Sequence, residues 1–216
     1  MSSLSIVAMC LAIVTWIYFY NNPMRHGPWF LRRRFINWFP LGMTYAFLYM
    51  GRYNLTVAKN AFGDLMSNDA FGLIFAAGTG LYAFSFLING PLVDRIGGKA
   101  GILIAAIGAA AANVILGVIT WLVLTKRTSV ALFWPFVVCY AVNMYFQSYG
   151  AVSIIKVKAN WFHVRERGVF GAIFGTLISF GVYFAFEWGP AVVDMTKVHP
   201  SANAGCLGHT LHDGFV

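Results

Sequence analysis

Arg52 lies well inside a membrane-length apolar run, residues 36–58, rather than at its edge. As a helix that run would span roughly 34 Å, enough to cross a hydrocarbon core of about 30 Å, and Arg52 would lie roughly 8 Å from the middle of the slab. An arginine at that depth costs about 2.5–3.5 kcal/mol on insertion scales, so a chain that keeps one turns it toward a cavity or a partner. Tyr45, Tyr49, Thr56 and Lys59 sit at offsets of minus 7, minus 3, plus 4 and plus 7 from it, which places two phenols, a hydroxyl and a second cation on its face. A planar guanidinium suits bidentate recognition of phosphate or carboxylate, so the expected ligand of this face is an anion. The tyrosines also fit bundle packing, and Lys59 also fits snorkelling to the interface.

A second cation, Lys156, ends another apolar run and shares a helical face with Tyr145, Tyr149 and Ser153, while Asn143, Gln147 and Ser148 lie inside that run. Lys156 could serve an anion near one mouth of the site or snorkel outward. Gln147 joins the candidate binding set. No enzyme constellation is present: the spans supply cations, amides and hydroxyls, and their one acid, Glu187, stands at an exit. Cys206, His209 and His212 have a superficial metal spacing in a tail without structured surround, so neither metal nor cofactor is expected. The other cysteines, Cys10 and Cys139, lie in apolar runs and read as packing.

These residues must be positioned by membrane helices. Hydrophobic residues make up 59% of the 216 and charged ones 10%, with a mean hydropathy of +0.70, so a soluble domain is excluded and five or six spans fit. Residues 4–20 form a short first span or an interfacial helix, spanning being favoured, and residues 21–34 a basic loop. The further spans are expected at 71–92, 100–124, 130–155 and 169–188. Glycines at 171 and 175 with Ser179 suggest a close-packing ridge. The Trp188–Gly189–Pro190 sequence should stop the last helix, leaving residues 191–216 as a polar tail.

The net charge of +8 does not point to nucleic acid, because the basic residues sit in short loops between apolar runs. Nine of them (Arg25, Arg32, Arg33, Arg34, Arg95, Lys99, Lys158, Arg165, Arg167) fall on one side and four (Lys59, Lys126, Arg127, Lys197) on the other. The first side is expected to be cytoplasmic.

Residues 90–99, with Gly90, Leu92, Asp94, Arg95, Gly97 and Lys99 joining two small-residue helices, resemble the loop between the second and third helices of the major facilitator superfamily. Gly98 stands where that family usually has a basic residue. Tyr45, Tyr49, Arg52 and Asn54, together with residues 146–150 and 160–168, resemble the superfamily's organophosphate:phosphate antiporters, which exchange glycerol-3-phosphate or hexose-6-phosphate for inorganic phosphate. The resemblance implies an all-α polytopic membrane fold in three parts: an extra hydrophobic helix and basic loop (1–33), a partial N-terminal major facilitator bundle (34–190), and the tail (191–216). It implies that Arg52 contacts a substrate phosphoryl group with Tyr45 and Tyr49 nearby. It also implies that Asp94, Arg95, Lys99, Glu166 and Arg167 form a gate in which the two loops pair.

Two departures qualify this. The fifth-helix histidine of some members falls on Ile178 here, and the resemblance covers five of the family's twelve helices. A C-terminal half or another copy of the chain is therefore the expected partner, beside the phosphate ester, inorganic phosphate and the bilayer. A non-transporting sensor or interaction protein, or an inactive truncated fragment, is the alternative.

Overall fold

A chain in lipid must satisfy its backbone polar groups within each segment, which leaves long apolar runs little choice but helix. The computed structural model describes residues 3–62, 66–124 and 133–198. These form α1 (Ser3–Tyr20), α2 (Pro28–Phe62), α3 (Asn68–Ile96), α4 (Gly98–Leu124), α5 (Phe133–Trp161) and α6 (Arg167–Val198), with a 3-10 turn, Val164–Glu166, before α6. There is no strand among the described residues. The arrangement of the described residues is an all-α bundle of long helices.

Length and apolar composition suit α3, α4 and the Val164–Ala191 stretch for crossing a bilayer. The 35-residue α2 and 29-residue α5 carry the arginines, amides and hydroxyls of the candidate site, which dilutes their hydropathy. Helices facing a polar interior give up uniform apolarity.

Packing follows two main seams: α5 lies against α4 and α3, and α2 lies against α6, with α1 resting on α6. The buried positions of α6, among them Phe170, Phe174, Leu177, Phe184 and Ala185, recur at helical spacing and form one stripe facing Trp38 and Tyr45 of α2. On that stripe a Cβ at Gly181 would lie 2.1 Å from the Ala46 carbonyl oxygen and 2.8 Å from the Tyr49 Cβ, so the two backbones meet there. The ridge expected at Gly171 and Gly175 is not this seam. Nothing lies within 4 Å of a Cβ at Gly175, and Gly175 and Ser179 are exposed, because they occupy the face of α6 turned away from α2.

Several boundaries differ from the sequence reading: α3 continues through Pro91 to Ile96 and α5 continues to Trp161, shortening the basic loops expected at 90–99 and 157–168. The basic loop at 21–34 ends earlier than expected, since α2 starts at Pro28 and takes in Arg32, Arg33 and Arg34. Proline is favoured at a first helical position and arginine is a good helix former. At the other end α6 runs through Pro190 to Val198 instead of stopping. Packing on α2 offsets the lost hydrogen bond there: a Cβ at Gly189 would lie 3.0 Å from the Val57 Cγ1, and the Phe186 ring stands 5.8 Å from that of Tyr53. The rest of the expected tail, 199–216, falls outside the described residues.

The turns are locally encoded. Ser67 caps α3 by accepting a hydrogen bond from the Ala70 amide at 3.1 Å. Gly97, at φ 87, makes the turn from α3 to α4 in a region glycine alone enters readily.

Candidate functional site

Three helices meet at Arg52. Its Nε donates to Gln147 Oε1 of α5 at 2.9 Å, and its guanidinium carbon lies 4.5 Å from the Tyr49 ring centre and 4.4 Å from that of Tyr82 on α3. The cation is thus held between two aromatic faces. Its Nη2 is buried and makes no hydrogen bond, and no carboxylate pairs with Arg52 among the described residues.

The orientation of Gln147 is set from behind. Asn143 Nδ2 donates to the Ala109 carbonyl of α4 at 3.1 Å, which turns Asn143 Oδ1 toward Gln147 Nε2 at 2.5 Å. With its nitrogen engaged, Gln147 presents its oxygen to Arg52. Both amides are buried, and a second buried pair, Asn89 Nδ2 to Ser148 Oγ at 2.5 Å, ties α3 to α5 nearby.

Of the other expected binding residues, Tyr45 is buried and supports Tyr49, their ring centres 5.1 Å apart and edge-on, while its other side packs on Phe174. Lys59 is not in this cluster: at the far end of α2 it donates to Asn68 Oδ1. Lys156 is not in it either. It bonds the Asp94 carboxylate at 2.5 Å and the Asp94 carbonyl at 3.2 Å, so an expected binding cation is engaged by an expected gate residue. Arg95 and Lys99 are exposed on the same α3–α4 turn.

Glu166 and Arg167 do not pair with the α3–α4 turn as the resemblance implied. Glu166 takes a two-pronged contact from Arg34 of α2, Nη1 to Oε2 at 2.9 Å and Nη2 to Oε1 at 3.2 Å. Arg34 Nε donates to Tyr18 Oη of α1 at 2.9 Å, and its guanidinium carbon lies 4.4 Å from the Phe162 ring centre. The His163 amide donates to Glu166 Oε2 at 3.3 Å and His26 Nε2 stands 3.5 Å from it, so the buried carboxylate is met on every side. Arg167 instead donates to the Phe162 and Ala159 carbonyls, closing the end of α5. The reason is reach: α2 begins early enough to bring Arg34 beside the 3-10 turn.

Sequence reading missed Arg34, taken there as one loop charge among several, and Tyr82, a tyrosine in a span whose facing no local spacing reveals. The contacts do place residues 21–34, 93–99 and 157–168 at one end of the bundle, through Arg34 with Glu166 and Asp94 with Lys156. Among the described residues no cluster of three or more His, Cys, Asp or Glu side chains could hold a metal, and Cys206, His209 and His212 lie outside them.

Comparison with known proteins gives two findings. The family model of the Major Facilitator Superfamily matches residues 41–195. Among curated proteins, one of Arabidopsis thaliana named "Putative glycerol-3-phosphate transporter 3" is 29% identical over 128 residues, which take in 55% of this chain and 24% of that protein. The chain thus spans about a quarter of the length of that relative. No solved structure gives a significant match.

Proposed function

This chain belongs to the Major Facilitator Superfamily and is an integral multi-pass membrane protein, and from that premise we propose that it forms the N-terminal part of a transporter that exchanges organic phosphate esters for inorganic phosphate. One observation carries the reading: a half-buried arginine, Arg52, oriented by Gln147 and two aromatic faces, with a buried Nη2 that makes no hydrogen bond and no acid paired with it among the described residues. A desolvated cation left without a counter-charge is a standing demand for an anion. Planar, forked donation suits a phosphoryl group. The Arabidopsis relative's name supports a phosphate ester as the organic partner.

Tyr49 and Tyr45 shape one wall beside the phosphoryl position, and Gln147 holds the fork in register. Lys59 and Lys156 would act at the two mouths, drawing anions inward, rather than at the anchor. Asp94, Arg95 and Lys99 with Glu166 and Arg167 form the gate of the basic end, which faces the cytoplasm. Two ion pairs at that end, Asp94 with Lys156 and Glu166 with Arg34, support this reading as contacts that a change of state would break. Alternating access needs a second helical body across the cavity, a C-terminal half or another copy of this chain. The open small-residue face of α6 at Gly175 and Ser179 offers that body a close approach.

The test is binding of inorganic phosphate and glycerol 3-phosphate to the protein in nanodiscs. Arg52→Ala should abolish it, and Arg52→Lys should weaken it about tenfold or more despite keeping the charge, because an ammonium lacks the planar fork. Undiminished binding by Arg52→Ala would remove Arg52 from the role.

A further inference from the structure

The first turns of α2 carry two faces. Leu31, Arg34 and Trp38 point inward and are buried, whereas Trp29, Arg32, Arg33 and Ile36 recur at helical spacing on the outside and are exposed, Trp29 at 69% and Ile36 at 65%. Together with Asn37 and with Trp161 from the end of α5, that outer face lines an open groove of about 510 Å³. Arg33 lies over the Trp29 ring, 5.2 Å from its centre. Neither Arg32 nor Arg33 has an ion-pair partner among the described residues, and no acid lines the groove.

We infer that this groove is a binding site for an anionic phospholipid, with the headgroup phosphate held by Arg32 and Arg33. Two guanidinium groups and two indoles lining one groove match the chemistry of the membrane interface, where aromatic rings settle at headgroup level. Ile36, exposed one turn further along α2, continues the groove toward the hydrocarbon and supplies a surface for an acyl chain. A soluble anion would use the two cations and leave the exposed isoleucine and indoles without a role. Arg34, in the same basic triplet, is spent on Glu166, so the triplet divides its work between bundle and bilayer. The inference requires only that the chain sits in a bilayer, and it stands or falls independently of phosphate binding at Arg52.

The experiment places the full chain in phosphatidylcholine vesicles containing phosphatidylglycerol, with one or the other lipid brominated on its acyl chains. The fluorescence lost in Trp29→Phe/Trp161→Phe relative to the unaltered chain reports on the two groove indoles. Brominated phosphatidylglycerol should quench that signal more than brominated phosphatidylcholine at equal mole fraction. Each cation near an anionic surface contributes about a fivefold bias, so Arg32→Gln/Arg33→Gln should cut the preference by roughly twenty-fivefold. Arg32→Lys/Arg33→Lys, which keeps both charges, should retain most of it and controls for folding. Equal quenching by the two lipids would overturn the proposal. So would loss of the preference on adding free inorganic phosphate, which would mark a soluble-anion site, or absence of quenching by either lipid, which would mean that another protein surface covers the groove.

Discussion

An amide side chain offers an acceptor on one side and donors on the other, and the site uses that asymmetry twice in succession. The Ala109 carbonyl fixes Asn143, and Asn143 fixes Gln147, so what reaches Arg52 is an oxygen. Gln147→Glu would place a carboxylate where that oxygen stands and supply the counter-charge Arg52 now lacks. It should lower stability modestly, because its second oxygen would face Asn143 Oδ1, and reduce phosphate affinity at least about tenfold, as read by a binding titration beside a thermal melt. Retained affinity would mean that the missing acid is not what makes the site anion-seeking. Arg34 and Glu166 behave differently, as a buried pair with 2% and 5% of their side chains exposed. Removing one partner from such a pair typically costs about 3 kcal/mol, so Arg34→Ala should lower the melting temperature clearly while Arg34→Lys recovers part of the loss.

Between elements, the seam of α2 with α6 holds the site's geometry. The backbones meet at Gly181, and Tyr49, whose Cβ lies against it, is also the residue that stacks on Arg52. Gly181→Val should therefore push α2 from α6, cost about 2 kcal/mol or more of stability, and weaken phosphate binding from a distance. Gly175→Val, on the open face, should be nearly silent in the isolated chain. The contact of α3 with α5 through Asp94 and Lys156 has the opposite character. Asp94 is 66% exposed, so Asp94→Asn should change stability by less than about 1 kcal/mol, yet it should alter the rate of substrate exchange in an assembly that transports. A stability loss well above that, with unchanged exchange, would reduce the contact to a structural tie.

At the scale of the whole molecule the basic residues and the contacts agree on one end. With the native cysteines replaced, a membrane-impermeant thiol reagent should miss Gly97→Cys and His163→Cys from outside and reach Asn68→Cys; the reverse pattern would invert the proposed orientation. The described bundle is one helical body, with Arg52 between its helices and an outward small-residue face on α6. This 216-residue chain purified alone into liposomes should show no phosphate exchange above empty vesicles. Saturable exchange abolished by Arg52→Ala would show that copies of the chain assemble a complete cavity.

The helical membrane fold was legible from length, apolar content and breaker spacing, because in lipid those alone decide between helix and nothing else. Arg52 was legible for a related reason: a charge at that depth is too costly to be incidental, whatever surrounds it. What surrounds it was legible only in part: Tyr49 follows from spacing on the same helix, and Gln147 stood out as a polar residue in a span. That Tyr82, Asn143 and Gln147 converge on it depends on how α3 and α5 rotate about their axes, which no single run of residues records. The same holds for the charges at the basic end. Spacing puts Arg34 in a loop and the family resemblance pairs Glu166 with the α3–α4 turn, whereas the early start of α2 brings Arg34 to Glu166 and leaves Asp94 for Lys156. Pro190 marks the same limit, since a local breaker yielded to packing along α2. Periodicity and depth are properties of one segment and can be read from it; which partner a buried charge takes is settled by distances between segments, and those exist only once the helices have packed.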